Sequence, residues 1–536
     1  MPSLTKLKYL LFFITMYFLF SFYWLFSAQI TQNSGQRTIR VSISSNSKQG
    51  NKDSICPAIS ENGHFIAFYS LSDNLVPNDE NNSWDIFVRD CLSSKTERLF
   101  AYSLLFSNIP GDVPIDPSIS ANGRFVAFTS NQILVPNDTN LMLDVFVKDR
   151  KTGRKSRVSI ASDGTQANWW SEWQSISKDG RYVVFGSWAT NLVAGIKDSL
   201  YRIYIHDRNS KQTKCISISS QGQPCNHYAY INDGAISDDG RYVVFSSWSD
   251  NLVPNDTNGY EDVFFHDYKT QKTVRISMAF DGKQGNAASS HPTISGDGRF
   301  VAFRSYATNL VKKDTNSMPD IFIYNTKTKK NKMVSISSDG KQGNDISSQP
   351  SISADGRFVA FWSYSTNLVQ DSTVYAQVYI HDCLTGKTAI ASVDSKGNPG
   401  NGHSDYRPII SRSGRFVTFP SPADNLVPDD TNNCLDVFRR DLWDINLTPC
   451  NLRESLSSGS SYNITWTSEG NIGDVKIEYS IDSGKTWKIV INSTDNDGLY
   501  TWRVPRTPSS HCLLKISAAE EGDPCDISDD YISIIN

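Results

Sequence analysis

A twelve-residue pattern occurs seven times along the chain and constrains its fold more than any other feature. It reads Ile-Ser-x-x-Gly-Arg-Phe-Val-Ala-Phe-x-Ser, with variations, and is followed by Asn-Leu-Val-Pro-Asn-Asp-Thr-Asn and then Asp-Val-Phe-x-x-Asp. The turn glycines are spaced by 60, 57, 60, 58, 58 and 58 residues and lie at Gly63, Gly123, Gly180, Gly240, Gly298, Gly356 and Gly414. A fixed period of this size predicts stacked supersecondary units.

Each repeat carries the signals of four antiparallel strands. In the fifth copy they are predicted at His291–Ser295, Arg299–Ser305, Ile321–Tyr324 and Met333–Ser337, and Asp297-Gly298 supplies a tight hairpin turn. The second strand is expected to alternate inward and outward apolar residues. Radial repetition of such units makes a β-propeller. The loops after the second strand and between units are long and share one face, which we expect to be the binding surface.

The two ends of the repeat region predict a closed ring. Residues 38–51 resemble residues 273–286, which form the fourth strand of a unit and the loop after it. The seventh copy has a third strand, at Asp436-Val437-Phe438, but nothing like a fourth. We therefore expect residues 37–45 to complete the last unit, because closure removes exposed strand edges. The predicted fold class of residues 37–446 is all-β, a seven-bladed β-propeller closed by an N-terminal strand.

The repeat also resembles a known family. Ser-x-Asp-Gly-Arg-Phe-Val-Ala-Phe is similar to the TolB-type, WD40-like propeller repeat, and the resemblance covers about residues 37–446. Relatives of this type include periplasmic scaffold proteins, the propeller domains of some serine peptidases and a few polysaccharide lyases. The resemblance therefore implies the fold and leaves the function open.

The tail, residues 447–536, breaks the period. Alternating strands are predicted at Asn463–Thr467, Val475–Ile481, Trp487–Ile491, Tyr500–Val504 and Leu513–Ala518, which suits a small antiparallel sandwich. Tyr462-Asn-Ile-Thr-Trp466 and Tyr500-Thr-Trp-Arg-Val-Pro505 resemble the immunoglobulin-like domain of fungal cell-wall glucan-assembly proteins and of many secreted prokaryotic proteins. That resemblance implies attachment or spacing at a cell surface and brings no catalytic residue with it.

The first residues predict export. Lys6 and Lys8 precede an uncharged, apolar run from Tyr9 to Phe26, so residues 1–29 read either as a cleaved signal peptide or as a retained transmembrane helix. Both alternatives place the remainder in the cell envelope or outside the cell, with membrane contact only through this segment. In such a compartment, Cys215–Cys225 and Cys512–Cys525 are candidate local disulfides, the alternative being that these cysteines are simply buried.

Composition excludes several classes of function. The net charge is −4 and 20% of the residues are charged, so there is no basic footprint for nucleic acid. The chain contains no Gly-x-Ser-x-Gly, P-loop or dinucleotide-binding pattern. We expect no cofactor, with calcium as the one open candidate.

Calcium enters because Asp-x-Asn-x-x-x-Asp recurs in five repeats. Oxygen side chains at alternate positions suit a hard cation, but they suit Asx turns equally well. The candidate metal ligands are Asp79, Asp85, Asp138, Asp144, Asp256, Asp262, Asp314, Asp320, Asp430 and Asp436. The third and sixth copies have Arg202 and Gln377 near the second acidic position.

Residues that break the repeat on the long-looped face are the candidate ligand-binding residues. Aromatic rings for stacking beside carboxylates and histidines suit a sugar or a polyanion, the alternative being packing of one loop on the next. The candidates are Trp169, Trp170, Glu172, Trp173, His227, Tyr228, Tyr230, His291, His403, Asp405 and Arg407. By contrast, a histidine repeated around a ring before the end of the third strand is expected to point outward and to be solvated or to cap the strand, at His206, His266 and His381.

Three functions remain open. The first is an exported, non-enzymatic binding or scaffold protein that holds a protein or a cell-surface glycan. The second is a polysaccharide-active enzyme, a lyase or glycosidase, with His227, His291 or His403 as base or metal ligand. That alternative requires a carboxylate such as Glu172, Asp233 or Asp405 within about 7 Å of the histidine. The third is a purely structural envelope protein.

Overall fold

The computed structural model describes residues 38–101, 117–370, 372–448, 455–470, 472–520, 522, 524–528 and 531–536. The regular secondary structure of these residues consists of β-strands. The predicted export segment, residues 1–29, lies outside the described ranges. Within those ranges, no helix has the length and apolar character needed to cross a membrane.

The described part of the repeat region forms seven four-stranded antiparallel sheets, numbered here along the chain. Sheet 1 comprises Ser54–Ile59, Phe65–Ser70, Asp85–Asp90 and Lys95–Ala101; sheet 2, Ser118–Ile119, Phe125–Ser130, Asp144–Asp149 and Lys155–Arg157; sheet 3, Ser171–Ile176, Tyr182–Ser187, Arg202–Asp207 and Gln212–Cys215; sheet 4, Ala229–Tyr230, Tyr242–Ser247, Asp262–Asp267 and Lys272–Arg275. Sheet 5 comprises Ser289–Ile294, Phe300–Ser305, Asp320–Asn325 and Lys330–Met333; sheet 6, Ser347–Ile352, Phe358–Ser363, Gln377–Asp382 and Thr388–Ile390; sheet 7, Ile409–Ile410, Phe416–Ser421, Asp436–Asp441 and Thr38–Arg40.

The fourth strand of sheet 7 comes from the beginning of the described chain. Thr38 pairs with Arg440, Ile39 with Arg439 and Arg40 with Phe438 in an antiparallel register. The Val41 N–H continues the ladder by donating to the Val437 carbonyl at 2.7 Å. The segment that lacks a unit of its own therefore completes the unit that lacks a strand.

The second and third strands of every sheet are buried on both faces. In sheet 1, Ile66, Ala67 and Phe68 are all at 0% exposure, so the apolar residues that alternate between the two faces of this strand are covered on both. Neighbouring sheets cover both faces, which is why these strands are continuously apolar. Each sheet pairs two aromatic rings across these strands, with centroids 5.6 to 6.0 Å apart: Phe68–Phe87, Phe128–Phe146, Phe185–Tyr204, Phe245–Phe264, Phe303–Phe322, Phe361–Tyr379 and Phe419–Phe438.

The turn glycine of each sheet touches an aromatic ring of the preceding sheet. At Gly63 φ is +70°, and a Cβ added there would lie 2.1 Å from Phe416, so only glycine combines this conformation with this approach. The seven contacts are Gly63–Phe416, Gly123–Phe65, Gly180–Phe125, Gly240–Tyr182, Gly298–Tyr242, Gly356–Phe300 and Gly414–Phe358. They run from each sheet to the one before it, and the first returns to sheet 7, so the contacts form a cycle.

Backbone hydrogen bonds beside these turns follow the same order. The Glu61 N–H donates to the Ala121 carbonyl at 3.0 Å and the Ala121 N–H to the Lys178 carbonyl at 3.0 Å, which joins sheets 1, 2 and 3. The Ser413 N–H donates to the Glu61 carbonyl at 3.3 Å and joins sheet 7 to sheet 1. Backbone N–H and carbonyl groups of these turns therefore form hydrogen bonds with the turns of neighbouring sheets.

The C-terminal residues form a separate compact unit, Trp443–Asn536, and residues 38–442 form the first. It contains the sheet Asp444–Leu447, Ser461–Glu469 and Leu499–Arg503, and the sheet Ser455–Ser457, Ile532–Ile535, Ser509–Ala518, Val475–Ser480 and Lys488–Thr494, with Cys525–Ile527 on Ser509–Ala518. One apolar core, including Trp466, Ile477 and Trp502, draws residues from both sheets. The predicted boundary at residue 446 falls inside the strand Asp444–Leu447, which pairs with Ser461–Glu469.

Neither candidate local disulfide is present. Cys215 and Cys225 are buried thiols, and burial raises the pKa of Cys215 to about 12. Cys525 pairs with Ser517, five residues along the strand from Cys512. At about 3.3 Å per residue this separation exceeds the 7 Å that a disulfide can span. Spacing in the sequence suggested proximity, and the strand register excludes it for the second pair.

The repeated histidines are buried, so the expectation that they point outward is wrong, and so is the solvated one of the two expected roles. The Nδ1 atoms of His206, His266 and His381 lie 2.8, 2.9 and 2.9 Å from the hydroxyls of Thr213, Thr273 and Thr388. Each threonine hydroxyl donates in turn to a carbonyl of the preceding sheet. A position repeated around the ring thus faces the next sheet, and burial lowers the pKa of each histidine to about 4.

The N-terminal strand Thr38–Arg40 should be as important to stability as the fourth strand of any other sheet. Val41 and Val158 occupy the same repeat position in sheets 7 and 2, and both are buried. We expect Val41→Ala and Val158→Ala each to cost about 2 kcal/mol of unfolding free energy, because each leaves a cavity. Sheet 6 has Ala391 at this position, so both variants should fold. Urea denaturation measures the costs; a full cost for Val158→Ala with none for Val41→Ala would show that the N-terminal strand is loosely attached.

The buried histidines should destabilise the fold as the pH falls. In the unfolded chain a histidine binds a proton near pH 6.5, whereas buried His266 binds one only near pH 4. Stability from His266 is therefore complete above pH 6.5 and is lost between pH 6.5 and 4. We expect the unfolding free energy of the wild type, relative to His266→Gln, to fall across this window and then to level off. Buried Asp144, Asp320 and Asp436, with pKa values raised to about 6, 7 and 6, act in the opposite direction, so this comparison, made by urea denaturation, is needed to isolate the histidine.

Candidate functional site

In four repeats an arginine guanidinium lies between the two carboxylates of the acidic pattern. Arg157 Nη1 is 3.1 Å from Asp138 Oδ1 and 3.2 Å from Asp144 Oδ2, and all three side chains are buried. The same arrangement joins Arg98 to Asp79 and Asp85, Arg275 to Asp256 and Asp262, and Arg40 to Asp430 and Asp436. The oxygens that would ligate calcium are thus engaged by a cation of the chain itself. A calcium site in these repeats stays a prediction and would have to displace the arginine.

The remaining repeats vary the same cluster. In sheet 5, Met333 stands at the arginine position and Gln342 Nε2 donates to Asp314 Oδ1 at 2.8 Å and to Asp320 Oδ2 at 2.7 Å. Burial raises the pKa of Asp320 to about 7. In sheet 3, Arg202 replaces the second aspartate and pairs with Asp198. The pattern is therefore a polar cluster at the start of the third strand, with several chemical solutions.

Side chains from sheets that are not neighbours meet at the centre of the ring. Arg407 Nη2 of sheet 7 donates to the Asp233 carbonyl of sheet 4 at 2.6 Å, and the Ser118 hydroxyl of sheet 2 donates to Asp233 Oδ1 at 2.7 Å. Lys178 and Glu61, from sheets 3 and 1, form an ion pair at 2.7 Å. These contacts span the central channel, so polar and charged side chains meet inside it.

Two candidate ligand residues, Trp173 of sheet 3 and His291 of sheet 5, each occupy a strained bulge on the first strand of their sheet. Trp173 has φ +52° and His291 has φ +54°, in the left-handed region that non-glycine residues rarely adopt. Cys56 and Gln349 share this repeat position and conformation. The strand register shifts at each bulge. Bulges of this kind re-aim a side chain, and strained residues of this kind cluster at binding sites.

Three candidates of sheet 4, His227, Tyr228 and Tyr230, form one aromatic cluster with Trp188 and Tyr201 of sheet 3. The rings of Trp188 and Tyr228 are 5.3 Å apart, those of Trp188 and Tyr201 5.4 Å, and those of Tyr201 and Tyr230 5.8 Å. His227 packs on Tyr228 at 5.1 Å, while Trp169 and Trp170 stack on each other at 6.3 Å. Burial raises the pKa of Glu172, which faces the Tyr201 hydroxyl. The cluster combines apolar surface with one half-buried carboxyl group.

A second aromatic cluster joins sheets 6 and 7. Tyr364 contacts the ring of His403 at 5.7 Å and donates its hydroxyl to Asp405 Oδ2 at 3.0 Å. Tyr375 packs on the other side of His403 at 5.2 Å, and Trp362 packs on Tyr364 at 5.7 Å. The structure thus brings His403 and Asp405 together through Tyr364, and it holds Arg407 separately in the channel.

The histidines of the two clusters and the bulge are held by neighbouring groups of the chain. His227 Nδ1 accepts the Tyr228 N–H at 3.0 Å and His403 Nδ1 accepts the Ala376 N–H at 3.1 Å. His291 Nδ1 lies 2.9 Å from the Ser290 hydroxyl, and burial lowers the pKa of His291 to about 4. In the described part of the chain, no histidine forms an ion pair with a carboxylate. These hydrogen bonds fix the orientation of the three histidine rings, which pack on or beside neighbouring residues.

Sequence reasoning missed an aromatic position inside the repeat. The residue after the second strand's final serine is aromatic in sheets 3 to 6, at Trp188, Trp248, Tyr306 and Tyr364. Trp248 and Tyr306 are 45% and 44% exposed. The other three repeats have Leu71, Asn131 and Pro422 at this position. The signal was the restriction of aromatic residues to four consecutive repeats, which becomes visible when the repeats are compared position by position.

No known family profile matches the chain, and no curated protein matches its sequence. Among solved structures, one described as TolB from Agrobacterium tumefaciens is similar at 13% identity, with 65% of this chain and 94% of that chain covered and a TM-score of 0.35. A prolyl endopeptidase structure gives 10% identity, 88% and 55% coverage and a TM-score of 0.42. The structure of the RRP9 WD40 repeats is similar at 8% identity, with 76% of this chain and 99% of that chain covered and a TM-score of 0.40. The assignment as a β-propeller protein rests on the four-stranded sheets and their cyclic contacts.

Removing an arginine should expose the buried acidic pair. We expect Arg157→Met, which copies the natural Met333, to cost about 3 kcal/mol at neutral pH because two buried carboxylates lose their counter-charge. Millimolar calcium should then raise the melting temperature of Arg157→Met more than that of the wild type. Thermal denaturation with calcium or with a chelator measures both effects. An equal calcium response in the two proteins would show that the arginine does not compete for these oxygens.

Proposed function

We propose that the chain is an exported binding protein of the cell envelope or the extracellular space that holds a glycan on the long-looped face of a seven-bladed β-propeller. In this proposal Thr38–Arg40 closes the propeller, and the C-terminal unit is an immunoglobulin-like sandwich that serves as spacer or wall-contact domain. Neither a cofactor nor nucleic acid takes part.

One observation carries the proposal: aromatic side chains occupy the same loop position in four consecutive sheets. Trp188, Trp248, Tyr306 and Tyr364 therefore follow an arc across sheets 3 to 6. Rings at a regular interval suit a polymer of flat, repeating units, because each ring can stack on one face of a unit. The clusters around Trp188 and Tyr364 place the two ends of the arc beside further rings.

Polar groups beside the arc suit hydroxyl recognition. The Ser246 hydroxyl donates to Glu261 Oε1 at 2.7 Å, and burial raises the pKa of Glu261. Asp405, held by Tyr364, provides a second carboxylate at the other end. A few fixed acceptors among aromatic rings give orientation to a ligand whose binding is otherwise apolar. This combination favours a glycan over a featureless protein surface.

The enzyme alternative has less support. It requires a carboxylate within about 7 Å of the histidine, whereas the hydrogen bonds of the Nδ1 atoms of His291, His227 and His403 are with Ser290, Tyr228 and Ala376. The cross-channel contacts of Asp233 also occupy one of the proposed acid partners. No observation favours a bond-breaking reaction over binding.

A glycan array probed with residues 38–536 tests the proposal. We expect Trp248→Ala and Tyr306→Ala each to weaken glycan binding about tenfold, since each removes a stacking surface worth on the order of 1–2 kcal/mol. Both side chains are exposed, so the fold should persist. Leu384→Ala, which removes an exposed apolar side chain from a short turn of sheet 6, is the matched control and should bind as the wild type does. Silence across all glycans, together with capture of a protein, would overturn the glycan proposal.

A further inference from the structure

Five of the interfaces between neighbouring sheets share a small hydrogen-bonded link, called here the Ser–Thr clasp. A threonine N–H on the fourth strand of one sheet donates to a serine hydroxyl that follows the fourth strand of the sheet before it, at 2.9 to 3.3 Å. The pairs are Ser45–Thr96, Ser162–Thr213, Ser220–Thr273, Ser338–Thr388 and Ser395–Thr38. The clasp draws the outer edges of two sheets together.

The interface between sheets 4 and 5 lacks the clasp. Phe280 stands at the serine position and Asn331 at the threonine position. The Phe280 N–H instead donates to the Asn309 carbonyl at 3.1 Å, and its ring is 55% exposed. Tyr324 stands where the clasped interfaces have a basic side chain that contacts the clasp threonine, a histidine in three of them and an arginine, Arg89 or Arg440, in two. Three substitutions at one interface therefore coincide, and none of them is found at the five clasped interfaces.

A groove of about 860 Å³ opens where the clasp is missing. Met278, Phe280, Leu310 and Tyr324 contribute apolar surface to it. This volume lies within the range of small-molecule sites, which run from about 300 to 1,000 Å³. At the other interfaces a serine is sufficient at this position, so the fold itself does not require an exposed phenylalanine beside an apolar groove.

A buried polar atom in the groove has no partner. Asn331 Nδ2 donates to the Met278 carbonyl at 2.7 Å, which fixes the orientation of the amide. Asn331 Oδ1 is buried and, among the described residues, no donor lies within hydrogen-bond distance of it. A buried acceptor left unpaired is costly, so a ligand that donates to it would be favoured.

The charge around the groove is positive. Lys272, Lys312, Lys329 and Lys330 line it, and all four are exposed. Lys312 Nζ lies 5.7 Å from the centre of the Phe280 ring. In the described part of the chain, none of these lysines forms an ion pair, while the one lining carboxylate, Asp267, is paired with Arg241. The uncompensated charge selects for an anion.

We propose that the groove between sheets 4 and 5 binds an amphipathic organic anion, with an apolar body against Phe280 and Tyr324 and a sulfonate, carboxylate or phosphate among the lysines. The site is on the outer strands of the sheets, and its proposed ligand is independent of the glycan. Anilinonaphthalene sulfonate, whose fluorescence rises in an apolar site, is a direct probe of this chemistry.

The test compares the wild type with Phe280→Ser/Asn331→Thr, which installs the clasp used at five other interfaces and should therefore fold. We expect saturable binding of one probe per wild-type chain and at least about tenfold weaker binding to this variant, because the apolar contact is lost. Dodecanoate should displace the probe. Wild-type affinity in the clasped variant would overturn the proposal.

A second variant tests the contribution of the lysines that line the groove. Lys312→Gln/Lys330→Gln should weaken binding several-fold and make it less sensitive to salt, since fewer exposed charges attract the sulfonate. Lys151→Gln/Lys387→Gln, an equal change of charge outside the groove, should leave the affinity unchanged. If the two double variants bind equally, or if neutral phenylnaphthylamine binds as tightly as the sulfonate, the anionic part of the proposal is wrong.

Discussion

The contact between a turn glycine and the aromatic ring of the preceding sheet is the constraint on which the first unit depends. A single sheet with both faces apolar cannot remain in water, so each sheet needs two neighbours. The seven glycine–ring contacts supply that order, and Gly63 against Phe416 returns it to its start. Because an added Cβ would overlap the ring, the contact explains why both the glycine and the aromatic residue recur in every repeat.

Much of this fold could be predicted because each sequence signal for a strand or turn occurs in seven copies of the repeat. The period predicts four-stranded units, and the orphan segment at Thr38 predicts where the last strand comes from. Burial could not be predicted in the same way, since a single strand does not show what covers its second face. The error at His266 has this origin: a position that repeats around a ring suggests an outward side chain, whereas the next sheet lies over it.

The acidic pattern shows a second limit of the sequence. Asp138 and Asp144 are close in the chain and suggest a cation site, but their partner Arg157 lies on the next strand, and its approach depends on the strand register. The aromatic arc was missed for the opposite reason. Attention to residues that break the repeat favours Trp169 and Tyr228, while Trp248 sits at a regular position and differs only in its chemical type.

The separation between inner turns and outer strands explains how one fold accommodates such variation. The cyclic contacts and backbone hydrogen bonds lie at the inner turns, where all seven sheets use nearly the same residues. Substitutions on the outer strands, such as Met333 for arginine or Asn331 for threonine, change one interface and leave that inner cycle intact. Because the repeated inner contacts stabilise the fold, residues on the outer strands can change without unfolding it. Positions on the outer strands that depart from the repeat are therefore the best candidates for binding a specific ligand.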